Sequence, residues 1–175
     1  MSRPNSYKYF GVQLLHRFTF VLHIEDSRSA DTTVGRVFFF GTGRGSCLGR
    51  PGKDCVRRDQ VEWFKAVSRR LEASDPYRNN GIAFMHHPLQ EHLHLVNNYP
   101  VHGQKRDWSG CQAINTGLYS EFLQQGTVKW ASAGSDHSSD YWGNYGGINL
   151  AFGRKSGFNS YGPKFAMRGA RIFDM

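Results

Sequence analysis

No stretch of the sequence approaches the ~18 consecutive apolar residues that a membrane-spanning helix needs. The opening MSRPNSYKYFG carries no apolar core of a secretory leader. An intracellular location is therefore expected unless the true N-terminus lies elsewhere, and an organellar complex fits that expectation. Cysteine is scarce: Cys47, Cys55 and Cys111 are the only three. An odd count without a Cys-x-x-Cys pair excludes a disulfide framework. Cys47 and Cys55 are spaced to bridge one loop, but nothing in the sequence requires it, and the balance favours a reducing compartment. Acidic residues are also short, 14 against 22 Lys and Arg, which leaves a net charge of +8. Such a balance favours anionic partners such as nucleic acid or phosphorylated molecules. The densest basic stretch, Arg57, Arg58, Lys65, Arg69 and Arg70, is interleaved with Asp59 and Glu62 and reads as a solvated helix face. There is no internal repeat and no low-complexity tract.

What is abundant is aromatic and glycine. Aromatics make up 14% of the 175 residues, enough for one packed domain. Twenty glycines, many in the last third, mark tight turns. In RFTFVLHI, Phe18, Phe20, Leu22 and Ile24 alternate with their neighbours at a strand's period of two. DSRSADTTVG reads as a loop, RVFFFGTG as a short buried strand, and RGSCLGRPGKD as another loop. The period then changes. Val61, Phe64, Val67 and Leu71 fall at helical spacing, with Asp59 as the expected cap and Glu62 three residues on. GIAFMHH is a strand running into histidines, and 92–114 reads as polar and irregular. TGLYSEFLQQG reads as a short helix with Gly126 at its C-terminal cap. VKWASAG, GINLAFG and GARIFDM complete the expected strands. The alternation predicts a mixed α/β layer arrangement, with the chemistry at strand ends.

Six of the eight histidines lie between 86 and 137. His86 closes an apolar strand and is followed at once by His87 and Pro88. Asp136-His137 closes another, in GSDHSSDYWGNYGG. A strand end holds an imidazole rigidly and points it into a cleft, as a ligand for zinc, iron or manganese must be held. Two neighbouring strands would bring His86 and His137 to one sheet edge. Taken alone, His86 and His87 are more simply surface strand-end residues, and one histidine after a strand, as at His137, is weak evidence by itself.

The stretches IAFMHHPLQEH, INTGLYSEFL, VKWASAGSDHSSDYWGNYGGINLAFGRKSGFNSYG and RGARIFDM resemble the C-terminal half of the calcineurin-like metallophosphoesterases, in the branch that includes purple acid phosphatases. The resemblance is good over 58–175 and loose over 7–45. It implies the C-terminal half of a four-layer αββα sandwich, a mixed sheet with flanking helices. It divides the chain into N-terminal strands and loops at 1–57 and the family-like region at 58–175, within one structural domain. Members of the family use a dinuclear Fe, Zn or Mn centre to hydrolyse phosphate esters, through the two-metal logic of charge neutralisation and an activated hydroxide.

By that resemblance His86 takes the place of the lone histidine before proline in the fourth metal motif. His137 takes that of the second histidine of the fifth, Gly-His-x-His. Ser135 stands where the first histidine of that motif would be, and a neutral hydroxyl is a poor ligand for such metals. Glu91, Asn115, Asp136 and Asp140 fall at supporting positions beside the ligands. The three N-terminal motifs, Asp-x-His, Gly-Asp-x-x-Asp and Gly-Asn-His-Asp/Glu, do not occur in the sequence. The expectation is a metallophosphoesterase-like domain degenerate at its metal site, with no catalytic residue assigned, no dinuclear metal held by this chain alone, and a structural or interaction role within a protein assembly. Two alternatives stand beside it: a phosphoesterase completed by an N-terminal half on another chain or an upstream segment, and a basic nucleic-acid-binding module in which Tyr141, Trp142 and Tyr145 stack bases.

Overall fold

The structure, a computed structural model, describes residues 7–14, 17–71, 73–107, 110–162 and 167–174. The opening hexapeptide and Met175 lie outside the described residues. Seven strands form one mixed sheet: β1 (Tyr7–Leu14), β2 (Arg17–Asp26), β3 (Ser29–Phe40), β4 (Gly81–Met85), β5 (Trp130–Ala133), β6 (Trp142–Tyr145) and β7 (Ile148–Phe152), in the order β1-β2-β3-β4-β5-β7-β6. The centre, β3-β4-β5-β7, is parallel, and antiparallel pairs flank it on both sides. Strands from both sides of the 57/58 boundary therefore share one sheet. The helices are α1 (Arg58–Arg69), α2 (Gln90–Asn98) and α3 (Leu118–Gln125).

The period of two in β3 sorts its aromatics to opposite faces. Phe38 and Phe40 point at the helices. Phe38 meets Trp63 and Phe64 of α1 at ring-centroid distances of 6.3 and 5.1 Å, and Phe40 meets Phe122 of α3 at 5.8 Å. Through the sheet register this face continues as Ala83, Ala131 and Leu150, then Met85, Ala133 and Phe152, all buried. All three helices cover it, α2 by setting His92 against the Phe152 ring at 5.8 Å. A buried glutamine ties α1 to the strands: Gln60 donates to Thr19 Oγ1 and to the Gly41 carbonyl at 2.5 and 3.0 Å.

The opposite face carries the other parity. Phe20, Phe39 and Phe84 stack across β2, β3 and β4 at 4.6 and 5.6 Å, and Trp130 meets Trp142 at 5.2 Å. These side chains are only half-buried, and Phe18 beside them is 81% exposed. Their partial cover is the C-terminal segment, where Phe173 packs edge-on against Phe84 and Trp130 at 5.6 and 5.4 Å. The described part is thus one sheet with one helix layer and a half-covered aromatic face.

Several elements differ from expectation. GARIFDM is not a strand through residue 174, because it lies across the sheet face rather than along an edge. Arg171 anchors it there, donating through Nε to the Phe152 carbonyl and through Nη2 to that of Asp140 at 3.0 and 2.7 Å. Much of DSRSADTTVG is strand. Asp26 Oδ1 accepts the Arg28 amide at 2.8 Å and closes a tight turn, after which Thr32, Thr33 and Val34 run on into β3. The region read as irregular opens with α2, whose buried His92 and Leu95 share one face. The stretch GSDHSSDYWGNYGG, in which no strand is expected, contains β6, paired with β7 through a Gly146-Gly147 turn in which both glycines have positive φ, 55° and 96°. The N-cap of α1 is Arg57 rather than Asp59, because the Gln60 side-chain carbonyl accepts the Arg57 amide at 2.7 Å. Gly126 caps α3 at φ 66°, as the sequence suggests.

Candidate functional site at the strand ends

β4 and β5 are parallel neighbours, so His86 and Gly134-Ser135 leave the sheet side by side. The His86 carbonyl accepts the amides of Gly134 and Ser135 at 3.2 and 3.0 Å. His86 is exposed and His137 half-buried. Burial, then the nearby Lys53 and His137 charges, hold the His86 imidazole below its usual range. The two histidines thus sit within electrostatic reach of each other at one sheet end.

Sequence reasoning missed Lys53. Its ammonium donates to Ser135 Oγ at 3.0 Å, and its charge bears on both His86 and His87. A rigid loop delivers it. Cys47 and Cys55 are joined in a disulfide, both sulfurs fully buried. The Arg57 guanidinium reaches those sulfurs at 3.6 and 3.8 Å and Asp54 Oδ1 at 3.1 Å. Lys53 itself pairs with Gln112 in a parallel bridge, its carbonyl accepting the Ala113 amide at 2.9 Å. Gln112 in turn donates to the His87 carbonyl at 2.9 Å and accepts the Val56 amide at 2.9 Å. A lysine between a loop-closing cysteine pair was the available signal, but only the fold shows that it reaches Ser135. The bridge is the one that the sequence spacing allowed without requiring it.

The remaining site residues are divided among separate tasks. His87, read as a surface residue, is buried at 7% exposure, its Nδ1 2.9 Å from the Asp54 carbonyl. Asp136 turns inward, where Oδ1 accepts the amides of Ser138 and Ser139 at 2.8 and 3.1 Å. Glu91 and Asn115 bond each other at 3.0 Å. Asp140 is ion-paired with Arg154. His137 stacks on Tyr161 at 4.3 Å, and its Nδ1 lies 3.0 Å from the Tyr161 carbonyl. Tyr141, proposed above as a base-stacking residue, is buried at 1% exposure and donates its hydroxyl to the His92 carbonyl, so it has no free face.

These residues do not fit a dinuclear metal centre. The strand ends offer two imidazoles and a hydroxyl, the hydroxyl is already bonded to an ammonium, and Asp136 commits Oδ1 to its own turn and leaves only Oδ2, which is buried, without a partner. A divalent cation placed beside Lys53 meets like charge. Among the described residues, the one group of three His, Cys, Asp or Glu ligand atoms close enough to share an ion is Cys47, Asp54 and Cys55, and there the two sulfurs are bonded to each other.

Comparison with known proteins finds relatives by sequence. The chain is 28% identical over 155 residues to a protein of Arabidopsis thaliana named probable inactive purple acid phosphatase 29, covering 84% of this chain and 40% of that protein. It is 28% identical over 151 residues to probable inactive purple acid phosphatase 28 of the same plant, covering 83% of this chain and 37% of the other. With probable inactive purple acid phosphatase 14 it shares 26% over 128 residues, 69% of this chain and 32% of the other. The chain therefore spans at most about two fifths of the length of these relatives. No family model matches the chain, and no solved structure matches it significantly.

Proposed function

From a chain related to the purple acid phosphatase-like proteins along most of its length, we propose a catalytically degenerate metallophosphoesterase domain that serves as a structural or interaction subunit. The observation that carries this reading is the Lys53 ammonium on Ser135 Oγ at 3.0 Å, its charge also bearing on His86. A fixed monovalent cation supplies positive charge at the strand ends. It does not supply the open coordination positions that polarise a phosphoryl group or generate a hydroxide nucleophile. The relatives' names describe those proteins as probable inactive purple acid phosphatases, and the reading extends that description to this chain.

Purified chain equilibrated with excess zinc, iron or manganese and then dialysed should hold fewer than two ions and show no metal-dependent hydrolysis of an aryl phosphate. Ser135→His should not restore it, because no carboxylate joins the new imidazole and Lys53 remains. Metal-dependent turnover that His86→Ala abolishes would overturn the reading in favour of a working phosphoesterase.

The interaction role rests on the half-covered aromatic face. Phe20, Phe39 and Phe84 form a contiguous apolar row, and exposed sheet faces of this kind mark association surfaces. The occupant we propose is a protein partner with an apolar surface of its own, since this face of β2 to β4 is lined mainly by rings. Light scattering on the isolated chain should show self-association at micromolar concentration, reduced by Phe18→Lys together with Phe20→Thr. A monodisperse, cooperatively folding monomer would sink the interaction role.

A further inference from the structure

The C-terminal segment crosses the aromatic face as a bound peptide would. Burial alternates along it: Gly169, Arg171 and Phe173 are half-buried, while Ala170, Ile172 and Asp174 are exposed, Ile172 at 92%. Such alternation belongs to an extended chain with one side on a surface. Among the described residues no ladder joins it to a strand. It is held at three points instead. The Gly169 amide donates to the Lys155 carbonyl at 3.2 Å. The Arg171 guanidinium donates to the Phe152 and Asp140 carbonyls, and the Phe173 ring sits edge-on to Phe84 and Trp130. The fit is incomplete. A cavity of about 250 Å³ remains between the segment and the ends of β4, β5 and β7, where Met85, Ala133 and Gly153 line it. Gly169 and Ala170 border that space with side chains too small to fill it.

We propose that this seat is a peptide-binding site, filled in cis by residues 169–173 and able to receive in their place an extended segment of a partner protein that carries an arginine and, two residues on, an aromatic ring. Extended ligands are read in this way, through the side chains that alternate toward the receiving surface. Here the guanidinium gives charge-assisted hydrogen bonds to two backbone carbonyls, and the ring gains edge contacts with two others. The tethered segment competes at an effective concentration of roughly millimolar, so a rival must make more contact than it does. The unfilled cavity supplies that margin, since an apolar side chain larger than the Ala170 methyl has room there. A second copy's identical segment has no such advantage, which makes a different protein the occupant. The inference goes beyond the interaction role argued above, because it uses neither Phe18 nor Phe20 and does not require self-association.

The test is a fluorescence titration of the full chain with a labelled synthetic peptide of residues 167–174, MRGARIFD. The parent, its seat filled, should half-saturate only above ~1 mM. The full chain carrying Arg171→Ala with Phe173→Ser has lost its own side-chain contacts to the seat and should bind the peptide at least about tenfold tighter. Against that variant, a peptide with Arg171→Ala or Phe173→Ala should bind at least about tenfold more weakly. A peptide with Ile172→Ser, changed at the exposed position, should bind almost unaltered. A peptide with Ala170→Leu should bind several-fold tighter. Circular dichroism checks that the double variant folds. Should it unfold, the Ala170→Leu peptide is titrated into the parent and the Trp130 indole shift is followed by NMR, with the Arg171→Ala form of that peptide as control. The proposal is overturned if parent and double variant bind the peptide alike, if neither gives saturable binding, or if loss of the arginine or of the ring leaves the affinity unchanged. If Ala170→Leu binds no tighter than the chain's own sequence, a second copy is as good an occupant and the separate partner falls.

Discussion

Phe64→Ala should remove about 3–5 kcal/mol of unfolding free energy, the range for a fully buried aromatic truncated to a methyl. The ring of Phe64 is completely buried and touches three others, with centroids 5.1 Å from Phe38, 6.0 Å from Phe40 and 5.0 Å from Phe122. It therefore joins α1 to α3 and both to β3. Alanine forfeits the apolar transfer and leaves a cavity that rings fixed by strand register cannot collapse into. Phe64→Leu keeps most of the volume and should cost far less. Urea unfolding of the two variants against the parent gives the comparison directly. For a domain whose whole stability is of the order of 5–15 kcal/mol, the alanine variant should be visibly less stable at room temperature. A loss below about 1 kcal/mol would show that the helix layer does not pack on the sheet through this ring.

The same residue shows why much of the fold was legible. Val61, Phe64 and Val67 mark a helix because one face of α1 must meet the sheet, and the alternation in β2 and β3 marks strands because their two faces meet different neighbours. The errors arose where pairing rather than periodicity sets the structure. β6 is four residues long and has no apolar pattern of its own; it exists because Gly146-Gly147 turns it back on β7. The 168–174 segment has an apolar alternation like a strand's, yet its Phe173 goes to the sheet face and its arginine to carbonyls, so no ladder forms. In α2 the buried positions are few and one is a histidine, which hides the helical stripe from a reading based on apolar residues.

The site was legible as positions but not as partners. His86 and His137 were singled out by their place after strands and Ser135 by the family resemblance, and the parallel β4-β5 pairing brings those strand ends together. Lys53 lies 82 residues from Ser135 in the chain, and no local pattern announces a contact of that separation. The seat of the C-terminal segment was hidden in the same way. Arg171 and Phe173 are far in the chain from the Asp140 carbonyl and the Phe84 and Trp130 rings that receive them, and only the return of the segment across the sheet joins them.

Stability should fall steeply as pH drops from about 6.5 to 4, and His92 should carry the larger part of that loss. His92 is fully buried in α2, with Nε2 3.3 Å from the Ala131 carbonyl, the Phe152 ring against its side, and Nδ1 without a partner. Burial, only partly opposed by nearby backbone carbonyls, pushes its pKa down to about 4 from 6.5. Between those values the unfolded chain takes up a proton that the folded chain refuses. The unfolded state then binds more protons, so stability rises with pH across the window and is complete above about 6.5. At about 1.4 kcal/mol per pH unit, the loss at the acid end is on the order of 3 kcal/mol. His86 and His87, also lowered by burial, add to it with the same sign. Asp75 and Glu121, held below the usual carboxylate range despite some burial by Arg36 and the Tyr77 amide for the first and by Gln125 and Lys65 for the second, lose their contribution only at lower pH. His92→Phe removes the titrating group and keeps a ring against Phe152. Urea unfolding at half-unit pH steps should show the variant close to the parent at pH 7.5 and much flatter between 6.5 and 4. An unchanged slope in the variant would mean that His92 is protonated as readily inside the fold as outside it, and that the packing of α2 against β5 and β7 is looser than its buried imidazole implies.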